Sequence, residues 1–379
     1  MGLFGPPDIG KLKAKGDLAA LLRATEHKDP AIAAAALDAL LSFGPAAAPA
    51  VVPGLSAPEE AQRAHAADIL TRLGWTSANA SEEVALLIAQ QKWAELPEVG
   101  EAAVAPLSTI LKNPGRGQGL DIVAVMALWA IGSRPALDAL LNALRQGRRE
   151  AAFAMVALSQ MQASMGEVAA MLESPTVAGR TKIGASQILG LLGAEAVPTV
   201  LQTIESCSGE SRAYALIALM CTADPRTVEV GKRYLPSLDA ETAAEMQNML
   251  GYFEGGTSAL VGALASPNSG DRGIACIALG NLRQVEAVEP LKARLADANP
   301  LIVLASSNAL AKIGTPEAVQ ALVEFVAKRN EAFQVMAIAS LALVSEKGLA
   351  DQALAARTDD PSLAVRACAA IVAQRRASA

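Results

Sequence analysis

Histidine, the most common general base and metal ligand, is nearly absent: only His27 and His65 occur in 379 residues. A Ser-His-Asp or Cys-His catalytic set needs a base beside its nucleophile, and a metal needs three or four convergent ligands. Two histidines 38 residues apart supply neither. The four cysteines, Cys207, Cys221, Cys276 and Cys368, are spaced 14, 55 and 92 residues apart with no C-x-x-C pair. That spacing fits neither a zinc site nor the disulfide framework of a short secreted chain, so buried, reduced thiols are expected. No catalytic residue, metal or cofactor is expected.

Two features point to anions. Asn113-Pro-Gly115-Arg-Gly117-Gln-Gly119 is glycine-rich and opens a helix, where backbone N–H groups cradle negative charge. Phosphate-binding loops of this kind follow a strand, whereas Leu107 to Leu111 has helical spacing, so a plain inter-repeat loop is the competing reading. The second feature is periodic. Arg116, then Arg148 and Arg149, then Arg180 recur at intervals of 32 residues in successive loops, which would align them along one edge. The edge would meet a carboxylate-rich partner, a phosphate or an anionic lipid surface if its charges are free. It is scaffolding if they pair inside the protein, as a first-helix arginine does with a loop aspartate.

The elements that position these residues follow a period of about 30. A helix ends in a Leu/Ile-x-Gly-like turn at Gly44, Gly74, Gly132, Gly193 and Gly314, and a second short helix follows each. Between and beyond them the same register falls on Gln162, Ala223, Glu254, Arg283, Ser345 and Ala377, where a looser turn is expected in the absence of glycine. In the copy ending at Gly314, Ile302, Ala305, Ala309, Leu310 and Ile313 form the apolar stripe of the first helix. Val319, Leu322, Val323 and Val326 form that of the second. Asp29-Pro30, Asn299-Pro300, Thr315-Pro316 and Asp360-Pro361 each set an N-cap before a proline suited to a helix start. The spacing predicts an all-α, right-handed α-solenoid of about twelve two-helix repeats, extended as a curved rod on the order of 100 Å long. Residues 1–28 are expected to be N-terminal capping helices and 29–379 a continuous array, irregular around 76–119.

The chain resembles HEAT-repeat proteins, in particular the short-repeat group known from phycobilisome lyases. The residues that carry the likeness are the first-helix segments ending at Gly74 (Arg63 to Gly74) and Gly280 (Asp271 to Gly280), Asp360 to Ile371, and the second helix from Thr315 to Leu322. Arg63, Lys182, Arg212, Arg272 and Arg366 share one register, which Ala33, Ala151, Val303 and Gln334 vacate. The resemblance implies a scaffold and no particular chemistry. The HEAT-like deoxyhypusine hydroxylases hold two irons with His-Glu pairs, and neither His27 nor His65 is followed by Glu.

Net charge is −6 and aromatics are only 3% of residues, so neither a basic field nor a base-stacking platform for nucleic acid is expected. Trp75, Trp93 and Trp129 are expected to pack between repeats. The longest apolar runs, such as Ile122 to Ile131, are too short to span a bilayer, and the start of the chain lacks a signal-peptide pattern, so a cytoplasmic protein is expected. The function expected is a non-enzymatic protein–protein interaction scaffold that presents its second helices, with Asp138, Asn142, Gln202, Glu286, Glu289, Gln320 and Glu324, as a concave face. The alternatives are a lyase or chaperone component like the phycobilisome lyases, or a structural spacer. The partner is another protein. The C-terminal first helix has no second helix after it, so it is either self-capped or open to self-association.

Overall fold

The computed structural model describes residues 6–112, 119–146, 151–328 and 331–378, and every regular element among them is a helix. The chain forms two compact units, residues 1–118 and 119–379, with the boundary at the end of the irregular stretch around 76–119. The first unit holds α1 (Ile9–Lys15), α2 (Leu18–Ala24), α3 (Pro30–Leu41), α4 (Ala48–Val51), α5 (Glu60–Arg72), α6 (Ala80–Ala89) and α7 (Val104–Lys112). In the second unit the first helices of successive repeats are α8 (Leu120–Ile131), α10 (Ala151–Leu158), α12 (Gly179–Leu192), α14 (Gly209–Thr222), α16 (Ala240–Glu254), α18 (Ser269–Asn281), α20 (Pro300–Ile313), α22 (Glu331–Leu341) and α24 (Leu363–Ser378). Their second helices are α9 (Arg134–Gln146), α11 (Met165–Glu173), α13 (Val197–Ser206), α15 (Thr227–Tyr234), α17 (Gly256–Ala263), α19 (Val288–Arg294), α21 (Pro316–Lys328) and α23 (Gly348–Ala355).

Local sequence accounts for the starts and stops. Asp29 Oδ1 accepts from Ala31 N and Asn299 Oδ1 from Leu301 N, which satisfies donors that a helix start leaves open. α24, in contrast, starts two residues later than the Asp360-Pro361 pair predicts and is capped by Ser362, whose Oγ accepts from Val365 N at 3.3 Å. Glycines 44, 74, 132, 193 and 314 all take positive φ at the turns. The turns without glycine are not uniformly looser. Ala223 and Arg283 are forced into the same left-handed conformation, at φ +58° and +51°, and near Glu254 the left-handed residue is Gly256.

The shared arginine register has a structural job. Arg63, Arg272 and Arg366 each donate Nη1 to the carbonyls six and five residues upstream: Ala57 and Pro58 (2.9 and 2.7 Å), Ser266 and Pro267 (2.9 and 3.0 Å), Asp360 and Pro361 (2.7 and 3.1 Å). Each clamp ties the loop between repeats to the helix that follows it. Arg272 also grips the buried Asp297 of the next repeat through Nε and Nη2 at 2.8 and 3.1 Å. Where Gln334 replaces arginine, its amide donates to Val326 O at 2.9 Å, so the register still secures a carbonyl.

The two units bury their first helices differently. In the first unit burial is one-sided: α3 hides Ala36, Ala39 and Leu40 while Ala31, Ala34 and Ala35 face solvent. Its core gathers Leu21, Leu40, Val51, Leu55, Ile69 and Leu70, with α1 and α2 packed on α3. In the second unit residues 120–129, 302–311 and 334–341 are buried without a break. A helix apolar all round must be covered all round, and here the cover comes from the far end of the same array. α8 packs against α24, α10 against α22 and α12 against α18, in addition to their sequence neighbours. The second unit therefore closes on itself instead of extending as an open rod. Small residues permit the closest approaches: a Cβ on Gly190 would lie 2.1 Å from Cys221 Cβ, and one on Gly280 2.6 Å from Ala309 Cα.

Closure settles the fate of three expectations. The second helices of this unit lie outside an inner layer of first helices and so do not line a concave face. The apolar face of α24 is covered by α8 and α22, because the last first helix of this unit meets its first. The stretch Gly179–Ser206 is long and apolar enough to cross a bilayer, yet 61% of its most apolar window is buried in this unit. Gly193, at φ +74° and ψ −143°, ends α12 there and splits the stretch in two.

Candidate binding site

Folding the array back brings the C-terminal ends of several first helices together. The last carbonyls of a helix have no intrahelical donor and carry the negative end of its dipole, so crowding them requires donors from elsewhere. The chain supplies them from opposite repeats. Asn281 Nδ2 donates to Gly190 O and Cys221 O, both at 2.8 Å, and Lys312 Nζ to Leu191 O at 2.5 Å. Gln160 reaches Ala339 O at 3.1 Å. Arg375 donates to Trp129 O at 2.8 Å and stacks its guanidinium 4.0 Å from the Trp129 ring. Arg376 binds Leu341 O and Glu346 O, each at 2.7 Å, together with Val344 O and the Asp351 carboxylate.

A cavity of about 520 Å³ opens among the ends of α12, α18, α20 and α22. Its polar lining is Glu195, Asn281, Arg283, Lys312, Ser345 and Glu346. Lys312 is half-buried and donates also to Asn281 Oδ1 at 2.5 Å. Burial, and to a smaller extent the nearby Arg283 charge, push its ammonium down to about 8. Arg283 itself is exposed and makes no ion pair among the described residues. Glu346 accepts from Leu349 N through both oxygens, at 3.2 and 3.1 Å. The arrangement can hold a small polar or charged group between two cations, against a partly apolar wall that includes Leu192, Ile313 and Leu343.

Of the arginine edge, Arg116, Arg148 and Arg149 lie outside the described residues, as does most of the glycine-rich loop. Arg180 stands exposed in the first turn of α12. Lys182, two residues on, is buried and donates to Ser211 Oγ at 2.8 Å. Both histidines serve local structure: His65 Nε2 is 2.7 Å from Thr25 Oγ1, and His27 Nδ1 accepts from Asp29 N at 3.0 Å. Among the described residues no three His, Cys, Asp or Glu side chains converge on a metal-sized site. All four cysteines are buried and unpaired, and burial raises their thiols, Cys221 to about 12. Trp93 and Trp129 are buried packing residues and Trp75 is half-buried. The exposed positions named on the second helices and their turns (Asp138, Asn142, Gln202, Glu286, Glu289, Gln320, Glu324) do face solvent.

Asn281, Lys312 and Arg375 carry no local signal of their role, because they reach into distant repeats, whereas Arg376 binds the repeat just before its own. Arg283 did leave a signal, since it occupies a turn position that elsewhere holds glycine.

A family model described as HEAT repeats matches residues 257–342. These residues are HEAT repeats. They span the HEAT first helices α18, α20 and α22, three of the four that end at the cavity. No curated protein matches the chain. Among solved structures, human deoxyhypusine hydroxylase in complex with glycerol is 17% identical, covering 75% of this chain and 98% of its own, with a TM-score of 0.33. UNC-45 from Drosophila melanogaster is 14% identical, with 97% of this chain and 64% of that one covered and a TM-score of 0.28. Kap121p bound to Nup53p is 12% identical, with 95% and 49% covered and a TM-score of 0.31.

Proposed function

We propose that the protein is a non-enzymatic, cytoplasmic scaffold that holds another protein on its repeat surface. The observation that carries this reading is the division of labour in the second unit. First helices are spent on the interior, while second helices present rows of mixed polar residues outward at the repeat period. Many of the charges there are already matched, as in Arg134 with Asp138 and Glu167, Arg233 with Glu229, and Lys292 with Glu289. Such a surface gives shape and hydrogen bonds rather than a long-range field, which suits a specific protein partner better than a nucleic acid. Four buried free thiols are in keeping with a reducing compartment. The test is co-purification from the native host followed by mass spectrometry and reconstitution. A stoichiometric protein partner is expected; a preparation that yields none, or that carries a coloured tetrapyrrole, would favour the spacer or the lyase-type role instead.

A further inference from the structure

The cavity among the ends of α12, α18, α20 and α22 has one amine in its lining, that of Lys312. We propose that Lys312 is a nucleophile and that the cavity takes an uncharged aldehyde, which the amine captures as an imine. The proposal goes beyond the scaffold reading and does not depend on it, because capture is stoichiometric and needs no turnover.

Three observations meet at Nζ. The first is its hydrogen bonding. Nζ gives one N–H to Leu191 O and one to Asn281 Oδ1. An ammonium has three N–H groups and a neutral amine two, so losing one proton costs neither bond and puts the lone pair in the position left over. The second is access. Glycine at 193 leaves the adjoining wall without a side chain, and a Cβ there would lie 3.9 Å from Nζ. The third is charge. Burial, and then the neighbouring Arg283, disfavour the ammonium and hold it down to about 8. Desolvation beside a second cation is how a lysine is made nucleophilic near neutral pH. Glu195 and Glu346 line the same cavity, but the charge that bears on Nζ is that of Arg283.

The lining also selects the class of guest. Arg283 and protonated Lys312 balance Glu195 and Glu346, so the cavity has no side-chain charge left to neutralise. Once Lys312 is a free amine, an anion would meet an excess of carboxylate at the negative ends of several helices, and a cation would have to enter beside Arg283. An uncharged guest meets neither penalty. The volume of about 520 Å³ lies in the range of small-molecule sites, and Leu192, Ile313 and Leu343 give an alkyl or aromatic tail an apolar wall. In the capture step the Nζ lone pair attacks the carbonyl carbon, and the carbonyl oxygen takes a proton from the nitrogen. The resulting hydroxyl leaves as water with the second N–H proton, and a carbon–nitrogen double bond remains.

The test exposes the full-length protein to hexanal and cyanoborohydride at pH 7, which fixes an imine as a hexyl amine, and maps the modified lysines by mass spectrometry. Lys312 should be alkylated at least about tenfold faster than the exposed Lys13 and Lys347, because it holds more free amine at that pH. The preference should shrink as pH rises toward the ordinary lysine value of about 10.4. Glyoxylate, an aldehyde that carries a carboxylate, should show little of it, and so should hexanal acting on the protein unfolded in urea. Equal rates at Lys312 and the exposed lysines would overturn the nucleophile. So would a preference that survives unfolding, which would belong to the local sequence, or one that does not change with pH. A preference as large for glyoxylate as for hexanal would overturn the uncharged guest.

Discussion

Lys312 and Asp297 are both largely withdrawn from water, and the chain treats their charges in opposite ways. Burial and Arg283 disfavour the Lys312 ammonium, so its folded pKa of about 8 lies below its ordinary 10.5. Between those values the unfolded chain holds a proton that the folded one has released, so stability should rise with pH from 8 to 10.5, by at most about 2–3 kcal/mol. Urea melts at pH 7.5 and 10 should show the gain in the parent and not in Lys312→Met. For Asp297, burial alone would raise the carboxyl, but the bonds from Arg272 and Asn299 N–H and the charge of Arg294 outweigh it and hold the group below its usual range. That contribution is present above about pH 4 and is lost as pH falls through the folded value. Arg272→Ala leaves a carboxylate whose side chain is only 4% exposed with Arg294, 3.6 Å away, as its remaining cation, so it should cost about 2–3 kcal/mol at pH 7. Because the acid-labile pair is already gone, its deficit against the parent should narrow toward pH 3. A deficit constant with pH would mean the arginine acts by packing alone.

At the scale of helices, what was legible was whatever a few adjacent residues decide. The Asp29 and Asn299 caps and the glycine turns follow from side-chain reach and backbone sterics, and each lies where its sequence puts it. Turns lacking glycine were misjudged at Ala223 and Arg283, because packing on both sides of the turn outweighs a local penalty of about 1 kcal/mol. Which helix pairs come closest was not legible either, since it depends on what stands opposite each glycine. Gly190→Ala must push its methyl into Cys221, and a loss of about 2–3 kcal/mol is expected from overpacking. Gly262→Ala in α17 meets nothing within 4 Å and should instead gain roughly 0.5–1 kcal/mol. Thermal melts of the two variants, one falling and the other rising, check both; a neutral Gly190→Ala would mean the two helices can separate without cost.

At the scale of the molecule, the repeat number and the all-helical class could be counted from the period, but closure could not. Whether an array meets its own end depends on a small rotation per repeat summed over nine repeats, and no single residue encodes that sum. A trace of it was present in composition. Leu120–Ile131 and Glu331–Leu341 have apolar residues on every side, where an open array needs only a stripe. Expressed alone, residues 119–379 should fold and scatter as a compact body with a radius of gyration near 18 Å. An open rod of nine repeats at roughly 10 Å spacing would exceed about 25 Å. A value in that higher range would show that the ends separate in solution.

The pairing of α8 with α24 also means that the second unit has no natural beginning. Arg375, near the C-terminus of α24, touches Trp129 at the C-terminus of α8, so residue 378 lies about one helix length, roughly 18 Å, from residue 119. A linker of about eight residues spans that gap. The order of the repeats can then be rotated like beads on a bracelet: residue 378 joined to 119, and the chain opened between α15 and α16, near Leu238. Such a rearranged chain should reach the same helicity and melt in one step, whereas deleting a single repeat, harmless in many linear arrays, should break the circle and unfold the whole.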